Sequence, residues 1–281
     1  MIIIDSVASL RKQLGDWRMD SARIVLVPTM GNLHEGHLKL MDEARLHGER
    51  VVASIFVNPT QFCEGEDFLG YPRTLEKDTS QLCSRGVDLL FSPSRSELHP
   101  QSLLTTVMVP TLSDLLCGEY RPGHFSAVAT VVLKLFNMVQ PELSVFGEKD
   151  FQQLMVIRKM VADLNLPVQI RSVATVREPD GLALSSRNCY LTESERCCAP
   201  GLYRALCHAV DSLSKGCSDF GALENQQKKD LRAMGFRPEY FSVRRRSDLE
   251  PPHAGDTELV VLAAAWLGSA RLIDNKAVSI A

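Results

Sequence analysis

IVLVPTMGNLHEGHLKLMDEARLHGERVVASIFV, residues 24–57, carries the architecture in miniature. Its first five residues are a β-branched, near-continuous apolar run that ends at Pro28. Leu38, Leu40, Met41 and Ala44 then recur at helical spacing over 36–46, and VVASIFV (51–57) is a second apolar run, stopped by Asn58-Pro59. Apolar strands without polar alternation, joined by a helix, predict a parallel pair covered on both faces.

The same alternation continues outward. A helix is expected over 74–84, a strand in DLLFSP (88–93), a long apolar helix over 126–139, a strand over 143–146, a helix over 151–162 and a strand over 168–176. Sheets of this α/β class bind ligands beyond the carboxyl ends of their strands. The loops at 28–36, 58–62 and 147–150 all follow strands and are expected to share that rim. MIIID at the start reads as an edge or core strand; it lacks a basic n-region and is not expected to be a signal peptide. The last hundred or so residues change texture: helical stretches over 193–213 and 220–234 precede strands at 240–245, 258–266 and 271–273. Helices followed by strands suggest a smaller α+β domain. The seam falls near 177–180, where Glu178-Pro179-Asp180-Gly181 is strong turn chemistry.

Composition narrows the class. The 281 residues suffice for about two domains. Thirty-one basic against 34 acidic residues leave a formal charge of −3, which excludes a broadly basic nucleic-acid binder. The longest apolar run (259–268) is about half of the roughly 20 residues a membrane helix needs. No C-x-x-C occurs among the eight cysteines, so zinc knuckles and redox pairs are disfavoured. Reduced thiols in a cytoplasmic protein are expected, those from Cys189 to Cys217 as small buried apolar residues.

Four segments carry chemistry. PTMGNLHEGH (28–37) leaves a strand, turns on Gly31 and enters a helix near Gly36, whose N-terminal N–H groups form an anion site. His34 and His37, three apart, can face one side of the first turn, and Gly36 leaves room for close approach. That suits a triphosphate, with imidazole N–H groups donating to phosphate oxygens. The zinc motif H-E-x-x-H spaces its histidines four apart, and no third ligand is evident. NPTQF (58–62) offers the amides of Asn58 and Gln61, which suit a hydroxyl-rich small molecule; alone it is only a strand-ending turn. GEKD (147–150) opens a helix: Gly147 allows backbone approach, Lys149 is a point charge and Asp150 is placed as an N-cap. In LSSRN (184–188), Ser185, Ser186 and Arg187 can clamp phosphate oxygens as a loop closes.

Together with YPRTLEKD, RPGHF, FGEKDFQQL, DGLALSSRNCYL and RLIDN, these segments resemble the pantoate–β-alanine ligase (pantothenate synthetase) family, in register across nearly the entire chain. That family belongs to the nucleotidyltransferases marked by an HxGH pair and a later KMSKS-like loop, places filled here by HEGH and SSRN. The resemblance implies a Rossmann-like parallel-sheet N-terminal domain (1–176) binding ATP and pantoate, and a smaller C-terminal lid domain (177–281). It implies a cytoplasmic homodimer that condenses pantoate with β-alanine through a pantoyl adenylate, releasing AMP and pyrophosphate. It further implies magnesium accompanying ATP, and neither nucleic acid nor membrane is expected as a partner.

Roles carry over by position. Met30, Gly31, Asn32, Leu33, His34, Glu35, Gly36 and His37 would hold ATP, with His37 as proton donor and His34 beside it on the phosphates. Gly147, Glu148, Lys149, Asp150 and Val176 correspond to further nucleotide contacts, Lys149 as the catalytic cation. Leu184, Ser185, Ser186 and Arg187 match the mobile phosphate-binding loop. Gln61 matches the glutamine on pantoate near the β-alanine position, Gln153 the second pantoate glutamine, and Asn58 joins them as a substrate contact. Asp78, in YPRTLEKD, is the carboxylate chosen for the magnesium side. One departure stands out: RPGHF continues with Ser126-Ala127 where the family commonly has Arg-Gly. A nucleotidyltransferase that keeps the nucleotide in its product, and a sensor that binds ATP without consuming it, are the alternative functions.

Overall fold

A computed structural model describes residues 1–101 and 103–280. The chain divides into two units. The first comprises Met1–Asp114, Arg121–Glu148 and Gln153–Ala174; the second takes Leu115–Tyr120, Lys149–Gln152 and the chain from Thr175 onward.

In the first unit, β1 (Ile2–Ile4), β2 (Ile24–Thr29), β3 (Arg50–Ile55), β4 (Leu89–Phe91), β5 (Leu143–Gly147) and β6 (Gln169–Val173) form one sheet in the order β1-β4-β3-β2-β5-β6. Every pairing is parallel. Ile24, Val25, Leu26 and Val27 are wholly buried, which explains their unbroken apolar run: both faces of a central parallel strand are covered. The helix Glu35–Arg45 buries Leu38, Leu40, Met41 and Ala44, and Leu40, Met41 and Ala44 join Val25, Val51, Leu90 and Val145 in one cluster. β1 lies at the edge with Ile2 and Ile3 exposed. From β2 the chain steps one way to β3 and β4 and later the other way to β5 and β6. The β2/β5 boundary is therefore the switch point at which such sheets open a ligand crevice.

In the second unit, β7 (Arg237–Arg245), β8 (Glu258–Leu267) and β9 (Ala270–Ser279) form an antiparallel sheet. Leu202, Leu206 and Leu213 of the helix Gly201–Ser214 and Leu231 of the helix Phe220–Ala233 share a core with Phe241, Val243 and Val261 of that sheet.

Several expectations shift. The helix Val7–Met19 was not anticipated, although Leu10, Leu14 and Trp17, its buried residues, recur at helical spacing. The stretch over 193–213 is two helices, Glu193–Cys198 and Gly201–Ser214, because Pro200 between them has no N–H to continue the first. The strand read over 271–273 runs through Ser279; Asp274, Asn275 and Lys276 hid it by breaking the apolar pattern. The cysteines from Cys189 to Cys217 are not a buried set: Cys189, Cys197 and Cys198 are exposed, Cys207 and Cys217 intermediate, and only Cys117 among the eight is buried. All eight are free. Among the described residues no helix is long and apolar enough to cross a membrane.

Candidate active site

The loop after β2 is built around two buried anchors. Thr29 Oγ1 donates to the Ser54 carbonyl of β3 (2.8 Å) and accepts from Gly31 N–H (3.2 Å). Gly31 has φ +81°, and a Cβ there would stand 3.0 Å from Asp78 Oδ2, so only glycine lets the chain turn against that carboxylate. Asp78 is 1% exposed. It accepts from Asn32 N–H (2.8 Å) through Oδ2, and from Leu33 N–H (2.9 Å) and Thr74 Oγ1 (3.1 Å) through Oδ1. Both of its oxygens hold protein donors, so the carboxylate expected on the magnesium side serves as an anchor for the loop after β2.

His34 is the N-cap of the helix Glu35–Arg45. Its Nδ1 accepts from Gly36 N–H (3.1 Å), while His37 Nδ1 accepts from His34 N–H (3.4 Å). This is a capping box written in imidazoles, and it fixes the chemistry of both rings. A nitrogen that accepts a backbone N–H is unprotonated, so each neutral imidazole carries its proton on Nε2. The rings lie 4.1 Å apart, tilted by 33°. Two Nε2–H donors at a helix N-terminus make an array for an anion. Glu35, expected among the ATP contacts, pairs with Arg85 Nη2 at 2.8 and 2.9 Å.

The turn after β3 is buried polar structure. Asn58 is wholly buried and Gln61 is 8% exposed. Asn58 Nδ2 donates to Gln61 Oε1 (3.0 Å), and Gln61 Nε2 faces Met30 Sδ at 4.0 Å. The main chain of Gln61 is held separately: its carbonyl accepts from His124 Nδ1 (2.7 Å) and Arg121 Nη2 (3.2 Å). Arg121 Nη1 lies 3.0 Å from His124 Nε2 and can only donate, so the His124 proton sits on Nδ1, toward Gln61. Glu66 grips Arg121 through Nε (2.5 Å) and Nη2 (2.7 Å). Burial pushes the Glu66 carboxyl up, but the hydrogen bond and charge of Arg121 outweigh it and hold it below the usual range. RPGHF thus has a function that motif reading had not assigned. Glu66 was missed altogether, since no spacing rule links position 66 to 121. Ser126, at the departure from Arg-Gly, accepts from Thr130 Oγ1 through its carbonyl within the helix His124–Val139. A cleft of about 320 Å³ opens at the ends of β2, β3 and β4, lined in part by Met30, Phe56, Arg73, Asp78 and Arg95.

In the second unit, Lys149 and Asp150 belong to a 3₁₀ turn, Glu148–Asp150, that runs straight into the helix Phe151–Asp163. Asp150, expected as an N-cap, ends that turn and directly precedes the helix. The Lys149 carbonyl accepts from Asn275 Nδ2 (3.0 Å). Gln152, which sequence reading passed over, bridges Cys117 N–H (3.1 Å) and the Leu115 carbonyl (2.7 Å). Its neighbour Gln153 is half-buried. Residues 176–184 form a hairpin: Leu184 N–H donates to the Val176 carbonyl (3.0 Å) and Glu178 N–H to that of Leu182 (2.8 Å). Gly181 (φ +96°) makes the turn where any Cβ would strike Tyr203 at 2.5 Å. Arg177 forks onto Asp274 at 2.6 and 2.8 Å and stacks over Tyr203. Burial pushes the Asp274 carboxyl up, against the pull of Arg177. The RLIDN segment is thereby a brace for Arg177 and Lys149. Beyond the hairpin, Ser186–Tyr190 is a 3₁₀ helix and not an open loop; Ser185 caps it by accepting from Arg187 N–H (3.3 Å).

Among the described residues no group of three or more His, Cys, Asp or Glu could hold a metal ion. A family model described as pantoate-beta-alanine ligase matches residues 2–277. A pantothenate synthetase of Thioalkalivibrio sulfidiphilus (strain HL-EbGR7) is 55% identical over 98% of this chain and 97% of its own. The crystal structure of pantothenate synthetase from Thermus thermophilus is 45% identical, with a TM-score of 0.92, over 98% of this chain and 99% of that one. A pantoate-beta-alanine ligase from Francisella tularensis, complexed with beta-gamma ATP and beta-alanine, is 34% identical with a TM-score of 0.83, over 98% of this chain and 97% of that one. A match over nearly the whole of each chain, at this level of identity, makes the chain a member of the pantoate-beta-alanine ligase family.

Proposed function

We infer that the chain joins pantoate to β-alanine at the expense of ATP, and that it does so in two steps. The pantoate carboxylate attacks the α-phosphorus of ATP, pyrophosphate leaves, and the amine of β-alanine then attacks the acyl carbon and expels AMP. A free carboxylate is a poor electrophile; its adenylate has a good leaving group. The observation that carries this reading is the pair of crossed imidazole caps at a helix N-terminus, in which Nδ1 of both His34 and His37 accepts a backbone N–H and the ring proton is carried on Nε2. Such donors stabilise charge as it moves onto the departing pyrophosphate, without reorganising. His37 is the proposed proton donor, Lys149, Ser186 and Arg187 further groups for the phosphates, and Gln61 and Gln153 the amides for pantoate.

Magnesium is proposed to arrive on the triphosphate, since this ion is commonly held by phosphates with one or two carboxylates. Asp78 does not fit as one of them, because its oxygens already accept from Asn32, Leu33 and Thr74. A homodimer in the cytoplasm is proposed on family grounds.

The test is isotope exchange. Labelled pyrophosphate is expected to enter ATP in the presence of pantoate with no β-alanine added. Exchange is expected to fall sharply in Gln153→Ala. Exchange that strictly required β-alanine would sink the two-step order.

A further inference from the structure

His99 follows the short helix Arg95–Leu98 and belongs to none of the segments read as chemistry-bearing. Its Nε2 lies 3.3 Å from Asn58 Oδ1, its ring stands edge-on to Phe56 with centroids 5.6 Å apart, and its Nδ1 is buried with no hydrogen-bond partner. We propose that His99 is a positioning residue for the known reaction: the first donor of a one-directional relay, His99 to Asn58 to Gln61, that sets the Gln61 carboxamide with its NH₂ toward the hydroxy-acid substrate.

The direction of the relay follows from one fixed point. Thr60 N–H (3.4 Å) and Thr60 Oγ1 (2.9 Å) both point at the same Asn58 atom, Oδ1. A backbone N–H can only donate, so that atom is the oxygen and the Asn58 amide cannot be flipped. Its Nδ2 must then face Gln61, and the Gln61 atom that receives it at 3.0 Å must be Oε1. Gln61 is left presenting Nε2–H toward Met30, where an oxygen of the substrate can accept. On the other side, a ring nitrogen facing the Asn58 oxygen has to donate, so His99 carries its proton on Nε2 and leaves Nδ1 bare.

The surroundings of Nδ1 agree with that tautomer. A second proton there would be a buried donor with no acceptor. Burial, reinforced by the positive charges of Lys134 and Arg95, pushes the imidazole below its usual value and keeps the ring neutral. Donors aligned head to tail polarise one another, so each bond in the series strengthens the last. Thr60 by itself fixes which way the Asn58 amide faces; His99 adds a further donor to the same Oδ1 and so strengthens the pull of Nδ2 on Gln61. The relay selects for an acceptor at the substrate position. A Gln61 amide free to rotate would offer its carbonyl as often, and would repel a carboxylate or a lone pair.

The proposal rests on Gln61 being a pantoate contact, and the test separates the two claims. His99→Leu removes the donor and keeps an apolar side chain against Phe56. His99→Gln places an amide N–H at the reach of Nε2. The KM for pantoate is expected to rise about fivefold in His99→Leu, the scale of one neutral hydrogen bond, with the KM for ATP changed less than about twofold. His99→Gln is expected to restore it. In ¹⁵N-detected spectra of the labelled wild-type protein at neutral pH, His99 should show a protonated Nε2 and a bare Nδ1. A pantoate KM in His99→Leu unchanged beside a raised one in Gln61→Ala overturns the role of His99, as does a ring found charged or protonated on Nδ1. If Gln61→Ala itself leaves the pantoate KM unmoved, the assignment of Gln61 fails first.

Discussion

The turns that follow β2 and β3 leave paired strands of one sheet, yet they are held by opposite strategies. The histidine pair after β2 is closed by bonds two and three residues apart. The carbonyl of the glutamine after β3 is held by partners 60 and 63 positions away in sequence, and its orienting asparagine, gripped locally by Thr60, also receives a donor 41 positions away. A locally closed turn can be read from spacing and keeps its geometry when distant residues change. A turn closed from afar takes its chemistry from residues that no motif contains.

Three experiments press on that contrast. The largest expected effect is at the local turn. His37→Ala should lower kcat by on the order of 10²–10³, the cost of one preorganised donor to developing charge, while the loss of its share of the cap costs only about 1 kcal/mol of stability. Turnover and thermal unfolding measured on the same sample would check this, and wild-type turnover would remove His37 from the chemistry.

The next effect tests whether the β2 turn is as local as its caps suggest. Asp78 anchors it from 45 and 46 positions away, and Asp78→Ala should destabilise the protein by about 3 kcal/mol, since buried N–H donors lose their shared acceptor. Urea titration reads the loss. The magnesium concentration needed for half-maximal activity should stay where it is; a higher requirement at unchanged stability would restore Asp78 as a metal ligand.

The smallest effect belongs to the clamp on the Gln61 main chain. Glu66 has its carboxyl pKa depressed by Arg121, so its contribution is fully present above the ordinary carboxylate value of 4.5. It is lost only as the pH falls through the lower folded value. Glu66→Gln should therefore cost about 2 kcal/mol at neutral pH and narrow its deficit below pH ~4. Equal deficits at pH 7 and at strongly acid pH, in paired denaturation curves, would exclude the ionised clamp.

The fold was readable wherever one apolar pattern sufficed. Ile24 to Val27 and Val51 to Ile55 announce buried parallel strands because no polar residue interrupts the first and only Ser54 the second, and a helix had to lie between them. The pattern failed where a tertiary contact replaced it: Asp274 and Asn275 sit inside β9, buried and polar, because Arg177 and the Lys149 carbonyl receive them. Pro200 was visible and its consequence, the break between two helices, was a matter of reading it.

The same division runs through the site. The sequence alone determined that two histidines three residues apart begin a helix after a strand, and hydrogen-bond geometry within one turn follows almost entirely from that spacing. It also placed Gln61 and Lys149 on strand-ending loops. Only the tertiary structure decided that Asp78 anchors the loop, that Glu66, Arg121 and His124 clamp a carbonyl, and that His99 faces Asn58. The physical reason is range: a turn satisfies its own donors with neighbours that the sequence spells out. A buried amide must instead be satisfied by whatever side chain the folded core brings to it, and the identity of that partner is written nowhere near it in the chain.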